Sequence, residues 1–168
     1  MISCKTRKII LTRGKENSMG NTDDIIDNGD PFNLNRFTKA QEGVYDRAVA
    51  ELAGGRKQSH WMWFIFPQIE GLGRSSTSKQ YAIKSIEEAR EYLKHPLLGA
   101  RLSHCAKAVL AIEGRSASEI FGFPDDLKLR SSMTLFATIS EHGSVFALVL
   151  DKFFNGDRDE QTLQLLEA

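Results

Sequence analysis

The residues best suited to bind or transform a ligand follow an apolar segment that contains both tryptophans of the chain. That segment, residues 60–68, has no polar face, so we expect it to be buried on most sides. In the loop that follows, Gly71 and Gly73 permit backbone conformations that expose N–H groups, and three serines add hydroxyl donors. The predicted helix after the loop would attract an anion to its N-terminus. Arg74 could hold a phosphate or carboxylate through two hydrogen bonds.

This combination would suit a phosphate-bearing or nucleotide-like small molecule, because Trp61 or Trp63 could supply a flat wall for a ring. A different interpretation of the same residues stays open. Tryptophans in an apolar run are typical of a core, and a G-x-G loop followed by serines is typical of a helix cap. The loop does not match a Walker or Rossmann pattern, since no strand clearly precedes it.

A second polar cluster lies in residues 128–134. On a helix, Lys128 and Ser131 share a face because they are three positions apart, and Arg130 adds a second cation. One hypothesis is an anion-binding wall that faces Arg74. The alternative is that these cations form ordinary surface ion pairs with the two aspartates that precede the cluster.

We predict a single ligand-binding region built from both clusters and their surroundings. His60 is the candidate general base, because an unperturbed histidine titrates near neutral pH, although a structural histidine is the alternative. If the protein is an enzyme, a hydrolytic or glycosidic-bond reaction on a nucleotide derivative is the expected chemistry. The predicted ligand-binding residues are Arg56, His60, Trp61, Trp63, Gln68, Gly73, Arg74, Ser75, Ser78, Tyr81, Lys128, Arg130 and Ser131.

A second function from a different class is a protein-interaction module without catalytic activity. Trp61, Trp63 and Phe66 would then form an aromatic surface, because such residues are common anchors at interfaces. Binding of single-stranded nucleic acid by these aromatics is a weaker hypothesis. The protein partner is not identified by any motif in the sequence.

Composition narrows the classes of function. The chain has 22 basic and 22 acidic residues, and this balance argues against nucleic-acid binding driven by bulk positive charge. Cys4 and Cys105 show neither metal-ligand spacing nor a disulfide framework, and the four histidines are scattered. We therefore predict no metal, no cofactor and a reducing, cytoplasmic location. No apolar run approaches the roughly 20 residues that would cross a membrane, so we predict a soluble protein with no membrane partner.

The elements that must position these residues are predicted to be helices. Residues 1–29 show no sustained period and change from basic to acidic, which predicts a disordered N-terminal tail. Residues 30–168 carry apolar stripes at helical spacing, with no strand-like alternation of useful length. We predict one compact, all-α domain, a bundle of about seven helices with short loops. The predicted helices pass through residues 37–52, 78–93, 96–112, 116–121, 124–137, 144–153 and 159–166.

From residue 30 to about residue 166 the chain resembles a family of mostly bacterial proteins known as domain of unknown function 1810. Some members of that family carry a calpastatin label. The resemblance implies a compact, mainly helical fold. It implies no established activity, so no catalytic residue is carried over from it. The stretches that carry it include residues 30–34, 55–57, 59–68, 71–73, 81–83, 120–122, 124–126, 128–136 and 153–154.

Overall fold

The chain forms ten helices and no β-strand within residues 29–168, which are the residues that the computed structural model describes. The all-α prediction is confirmed, but the prediction of about seven helices is wrong. The predicted tail lies outside the described residues except for its last residue, Gly29. In chain order the helices are α1 (Asn35–Gln41), α2 (Tyr45–Ala53), α3 (Met62–Ile65), α4 (Ser76–Gln80), α5 (Ile86–Lys94), α6 (Leu98–Leu110), α7 (Ala117–Phe121), α8 (Asp125–Thr138), α9 (Val145–Phe154) and α10 (Glu160–Glu167).

Two of the three additional helices arise where the chain interrupts a predicted helix. Gly43, with φ of 67°, separates α1 from α2, because a left-handed residue cannot continue a right-handed helix. The helix predicted from Ser78 is divided into α4 and α5. Between them, Ile83 leaves the helical path and forms an isolated parallel β-bridge with Ile69. The third additional helix, α3, is a single turn within the tryptophan-rich segment.

Helix α8 lies at the centre of the fold. It packs against α3, α5, α7, α9 and α10, and residues 131–137 are all buried, so protein surrounds the helix on every side. The buried apolar side chains form one cluster that includes Leu129, Met133 and Phe136 of α8. Each such side chain contributes about 1.5–3 kcal/mol of burial free energy. None of the helices in the described part of the chain has the length and apolar character that a membrane-spanning helix needs.

Several predicted helix starts are confirmed. Ser116 and Glu119 form a capping box at the start of α7, and Ser144 caps α9. Asp159 caps α10 by accepting a hydrogen bond from the backbone N–H of Thr162. Each cap satisfies backbone donors that the first helical turn leaves unpaired, which is worth roughly 1 kcal/mol.

A buried ion pair joins the N-terminal helices to the rest of the core. Arg36 on α1 pairs with Glu88 on α5, and both side chains are nearly inaccessible to solvent. The Glu88 carboxylate also accepts a hydrogen bond from the backbone N–H of Lys84. The guanidinium donates further hydrogen bonds to the backbone carbonyls of Phe32, Asn33, Gln80 and Ala82. A pair with this many additional partners offsets the cost of burying two charges.

We predict that Gly99→Ala destabilises the protein by about 1–3 kcal/mol. Gly99 lies in the first turn of α6, and a Cβ atom there would come within 1.9 Å of the carbonyl oxygen of Leu93, which is backbone and cannot rotate away. Urea unfolding followed by far-UV circular dichroism measures the change.

The matched control is Gly54→Ala. Gly54 has a φ of −76°, and its nearest neighbour would lie at an ordinary contact distance of 3.5 Å. We expect this variant to stay within about 1 kcal/mol of the parent. Equal unfolding midpoints for Gly99→Ala and the parent would contradict the close approach of α5 and α6.

Candidate functional site

The Glu51 carboxylate holds in place the chain that leads into the tryptophan-rich segment. It accepts four hydrogen bonds, from the backbone N–H groups of Gln58 and Ser59, the Ser59 hydroxyl and the indole N–H of Trp61. Burial alone would raise the pKa of Glu51, but these hydrogen bonds favour the charged form and lower the pKa to about 2.

Trp61 belongs to the core and does not line a ligand site. Its side chain is 0% exposed, and its ring packs near those of Phe66 and Phe121. Phe66 is also 0% exposed. The aromatic surface expected from Trp61, Trp63 and Phe66 is therefore not formed, and the interaction-module hypothesis loses two of its three anchors.

Two lysines share one aspartate at the start of α8. Asp125 accepts from the ammonium groups of Lys57 and Lys128, each at 2.7 Å. Burial raises the pKa of Asp125, but hydrogen bonds from Lys128 and Lys57 outweigh burial, and the net pKa is lowered. The Lys128 ammonium lies 4.4 Å from the ring centroid of Trp63, so this ring already has a cation over it. Lys128 thus makes the ion pair that the alternative interpretation expected.

The glycine–serine loop closes on itself instead of forming an open anion cradle. The Ser75 hydroxyl caps α4 by accepting from the backbone N–H of Ser78, and the Ser78 hydroxyl donates to the carbonyl of Ser75. A Cβ at Gly73 would lie 2.4 Å from the Cβ of Ser78, so backbone and side chain are already in contact. The predicted residues Trp63, Gln68, Gly73, Ser78 and Tyr81 do meet here, around a cavity of about 20 Å³. That space suits one water molecule rather than a nucleotide.

A larger groove lies beside α8, where this helix meets the segment that leads into α10. Its volume is about 590 Å³, within the roughly 300–1,000 Å³ typical of small-molecule sites. Four predicted site residues converge on it: Gln68, Lys128, Arg130 and Ser131. The other lining residues are Leu72, Pro124, Leu127, Asp157, Arg158, Asp159, Glu160 and Gln161.

Arg130 is the least satisfied cation of the groove. Its Nε atom is buried without a hydrogen-bond partner in the described part of the protein. Its Nη2 atom lies 3.8 Å from a carboxylate oxygen of Asp159, beyond hydrogen-bonding distance. The other oxygen of that carboxylate, Oδ2, accepts hydrogen bonds from the Ser131 hydroxyl and from Thr162. Arg130 therefore has donor capacity that residues 29–168 do not use.

Arg74 lies in a neighbouring hollow of about 350 Å³ and not in the groove itself. The groove and this hollow share two lining residues, Leu72 and Gln161. The two predicted polar clusters are therefore adjacent on the surface.

The structure leaves some predicted residues outside the groove and adds others. Arg56 and His60 are exposed and do not line it, and the Ser75 hydroxyl is taken up by the cap of α4. Sequence analysis missed Arg158 and Asp159, which enter the groove from the short connection between α9 and α10. The signal that could have found them is the run of charged residues 157–160, placed directly after Gly156 and at a helix start.

With this fold and groove, the chain belongs to the family described as protein of unknown function (DUF1810), which it matches over residues 31–166. The resemblance drawn from the sequence motifs is confirmed. A similar solved structure is the crystal structure of the conserved hypothetical protein Rv1873 from Mycobacterium tuberculosis at 1.38 Å. The two are 52% identical with a TM-score of 0.81, and the alignment covers 83% of this chain and 99% of that one. No curated protein matches the chain.

We predict that Glu51→Gln lowers the free energy of unfolding by about 1.5–3 kcal/mol at neutral pH, because hydrogen bonds to a charged acceptor are lost. A pKa lowered from 4.5 to about 2 means that the carboxylate contributes stability fully above pH 4.5. That contribution disappears as the pH falls towards 2. The difference in stability between parent and variant should therefore shrink over this interval, as measured by urea unfolding at several pH values.

Glu91→Gln is the control, because Glu91 forms an exposed surface pair with Lys94 and should change stability by at most about 1 kcal/mol. A Glu51→Gln deficit that is unchanged between pH 4.5 and pH 2.5 would contradict the low pKa of Glu51.

Proposed function

We propose that this protein binds a small phosphate-bearing molecule in the groove beside α8, with Arg130 as the principal anion contact. The observation that carries the proposal is the Arg130 side chain, which is 34% exposed and lines the groove, while its one ion-pair partner among the described residues, Asp159, lies 3.8 Å away, beyond hydrogen-bonding distance. Two further cations, Lys128 and Arg158, line the same groove.

An anion would bind at the accessible part of Arg130, whose side chain is 34% exposed. A phosphate accepts two parallel hydrogen bonds from a guanidinium, and in this proposal the two terminal nitrogens of Arg130 donate them. Asp159 acts in this proposal by orienting Arg130 from the other side, because its carboxylate is held in place by Ser131 and Thr162.

The charges of the groove favour a small ligand over a polyanion. Asp157 and Glu160 line the groove beside the three cations. Carboxylates repel a continuous phosphate backbone, but they accept hydrogen bonds from the hydroxyl groups of a sugar phosphate. Together with the balanced net charge, these carboxylates support a metabolite-sized ligand. The two cysteines, which show no disulfide framework, support a cytoplasmic location in this proposal.

The proposal is limited to ligand binding and includes no catalytic step. His60 is exposed and outside the groove, so it has no catalytic role in this proposal. Asp159 serves as a cap and a positioning group, since its Oδ2 atom already accepts hydrogen bonds from Ser131 and Thr162.

Isothermal titration of the full chain with ribose 5-phosphate and with inorganic phosphate tests the proposal. We expect saturable binding of ribose 5-phosphate, weakened about 10- to 100-fold by Arg130→Ala, which corresponds to the loss of charge-assisted hydrogen bonds. Arg130→Lys should recover part of the affinity, because it keeps the charge but loses the paired donors.

Arg90→Ala is the matched control, because Arg90 is an exposed arginine on α5 that does not line the groove. Circular dichroism and thermal unfolding of each variant establish that it is folded. Absence of binding to the parent protein, or an equal loss in Arg90→Ala and Arg130→Ala, would refute the proposed site.

A further inference from the structure

The groove and the hollow that contains Arg74 lie next to each other. Leu72 and Gln161 line both of them, so these two side chains form the boundary between the two spaces. The volumes of about 590 and 350 Å³ together exceed what a single phosphate group needs. A ligand that places its phosphate at Arg130 can therefore extend across Leu72 and Gln161 into the second space.

The chemistry of the second space differs from that of the first. Gln161, Gln164 and Leu165 have i, i+3 and i+4 spacing, so they occupy one face of α10. Leu72 and Arg74 reach the same space from the glycine-containing loop, where the Leu165 side chain packs over Gly71. The result is an apolar surface, with Leu165 39% exposed, bordered by two amides and one guanidinium.

These groups match the surface of a nucleobase. The leucine side chains offer apolar contact to the face of a flat ring, and the guanidinium plane of Arg74 can stack on that face. Each glutamine amide presents both a donor and an acceptor, which is what the edge of a base requires. A sugar phosphate without a base would leave this surface uncovered.

We infer that the ligand is a nucleoside phosphate, with its phosphate at Arg130 and its base in the hollow formed by Leu72, Arg74, Gln161, Gln164 and Leu165. This inference rests on the proposed function and adds the class of ligand to it. The sugar lies over Leu72 and Gln161, beside the carboxylate of Glu160, which accepts a hydrogen bond from a sugar hydroxyl.

Isothermal titration with AMP, GMP, CMP and UMP, each compared with ribose 5-phosphate, tests the inference on the full chain. We expect at least one nucleotide to bind tenfold or more tightly than ribose 5-phosphate. Leu165→Ser should remove most of that advantage and leave the affinity for ribose 5-phosphate unchanged. Arg130→Ala should weaken both kinds of ligand.

Leu148→Ser is the matched control, because Leu148 on α9 is exposed to a similar extent, 43%, and lies away from the hollow. It should bind every ligand as the parent does. Gln164→Ala, at an exposed position of the same face, provides a second variant if Leu165→Ser fails to fold. It should weaken nucleotide binding at least threefold without affecting ribose 5-phosphate.

The outcomes separate the two proposals. If ribose 5-phosphate and all four nucleotides bind equally well, the nucleoside inference is overturned and the phosphate site stands. If none of these ligands binds, the proposed function itself is refuted. If Leu165→Ser and Gln164→Ala both retain the full nucleotide advantage, the base does not lie in this hollow.

Discussion

The carboxylate of Glu51 is the interaction on which the arrangement around the groove depends. A carboxylate that is partly withdrawn from solvent is costly unless its oxygens are hydrogen-bonded, and here four donors from residues 58–61 satisfy them. This fixes the turn after α2 and directs the Trp61 indole into the core. Lys57, just before that turn, donates its backbone N–H to the carbonyl of Ile120 and pairs through its ammonium with Asp125. The start of α8 is thereby tied to the end of α2.

Helix α8 serves the core and the groove at the same time. Its apolar residues fill the centre of the protein, while Ser131 and Thr134 connect it to Asp159 at the start of α10. The Ser131 hydroxyl donates to the carboxylate of Asp159, and the Asp159 backbone N–H donates to the Thr134 hydroxyl. Arg130 extends from this rigid, hydrogen-bonded support. A binding group held by such a support loses little conformational freedom when a ligand arrives.

Several polar residues that were predicted to bind an anion form hydrogen bonds within the protein instead. Ser75, Ser78 and Gly73 have the composition of a phosphate-binding loop, yet their hydroxyls satisfy the cap of α4 and their backbone is in contact with a side chain. Ser131 was assigned to an exposed polar face, but it is buried and bonded to Asp159. In both cases the polar group found a partner inside the protein, since a buried polar group without one is destabilising.

The sequence by itself determined the helical class, the apolar stripes, the family and the helix starts near residues 116, 144 and 159, because periodicity and capping depend on residues within a few positions of each other. It left open whether Trp61 lies in the core or lines a ligand site. Only the tertiary structure decided that α4 and α5 are separate helices, since the bridge between Ile69 and Ile83 joins positions 14 apart. It alone brought Arg130 beside Asp159, 29 positions later in the chain, and left the Nε atom of Arg130 without a partner among the residues that the structure describes. Such partnerships depend on how helices pack in space, and no local pattern of residue types encodes that packing.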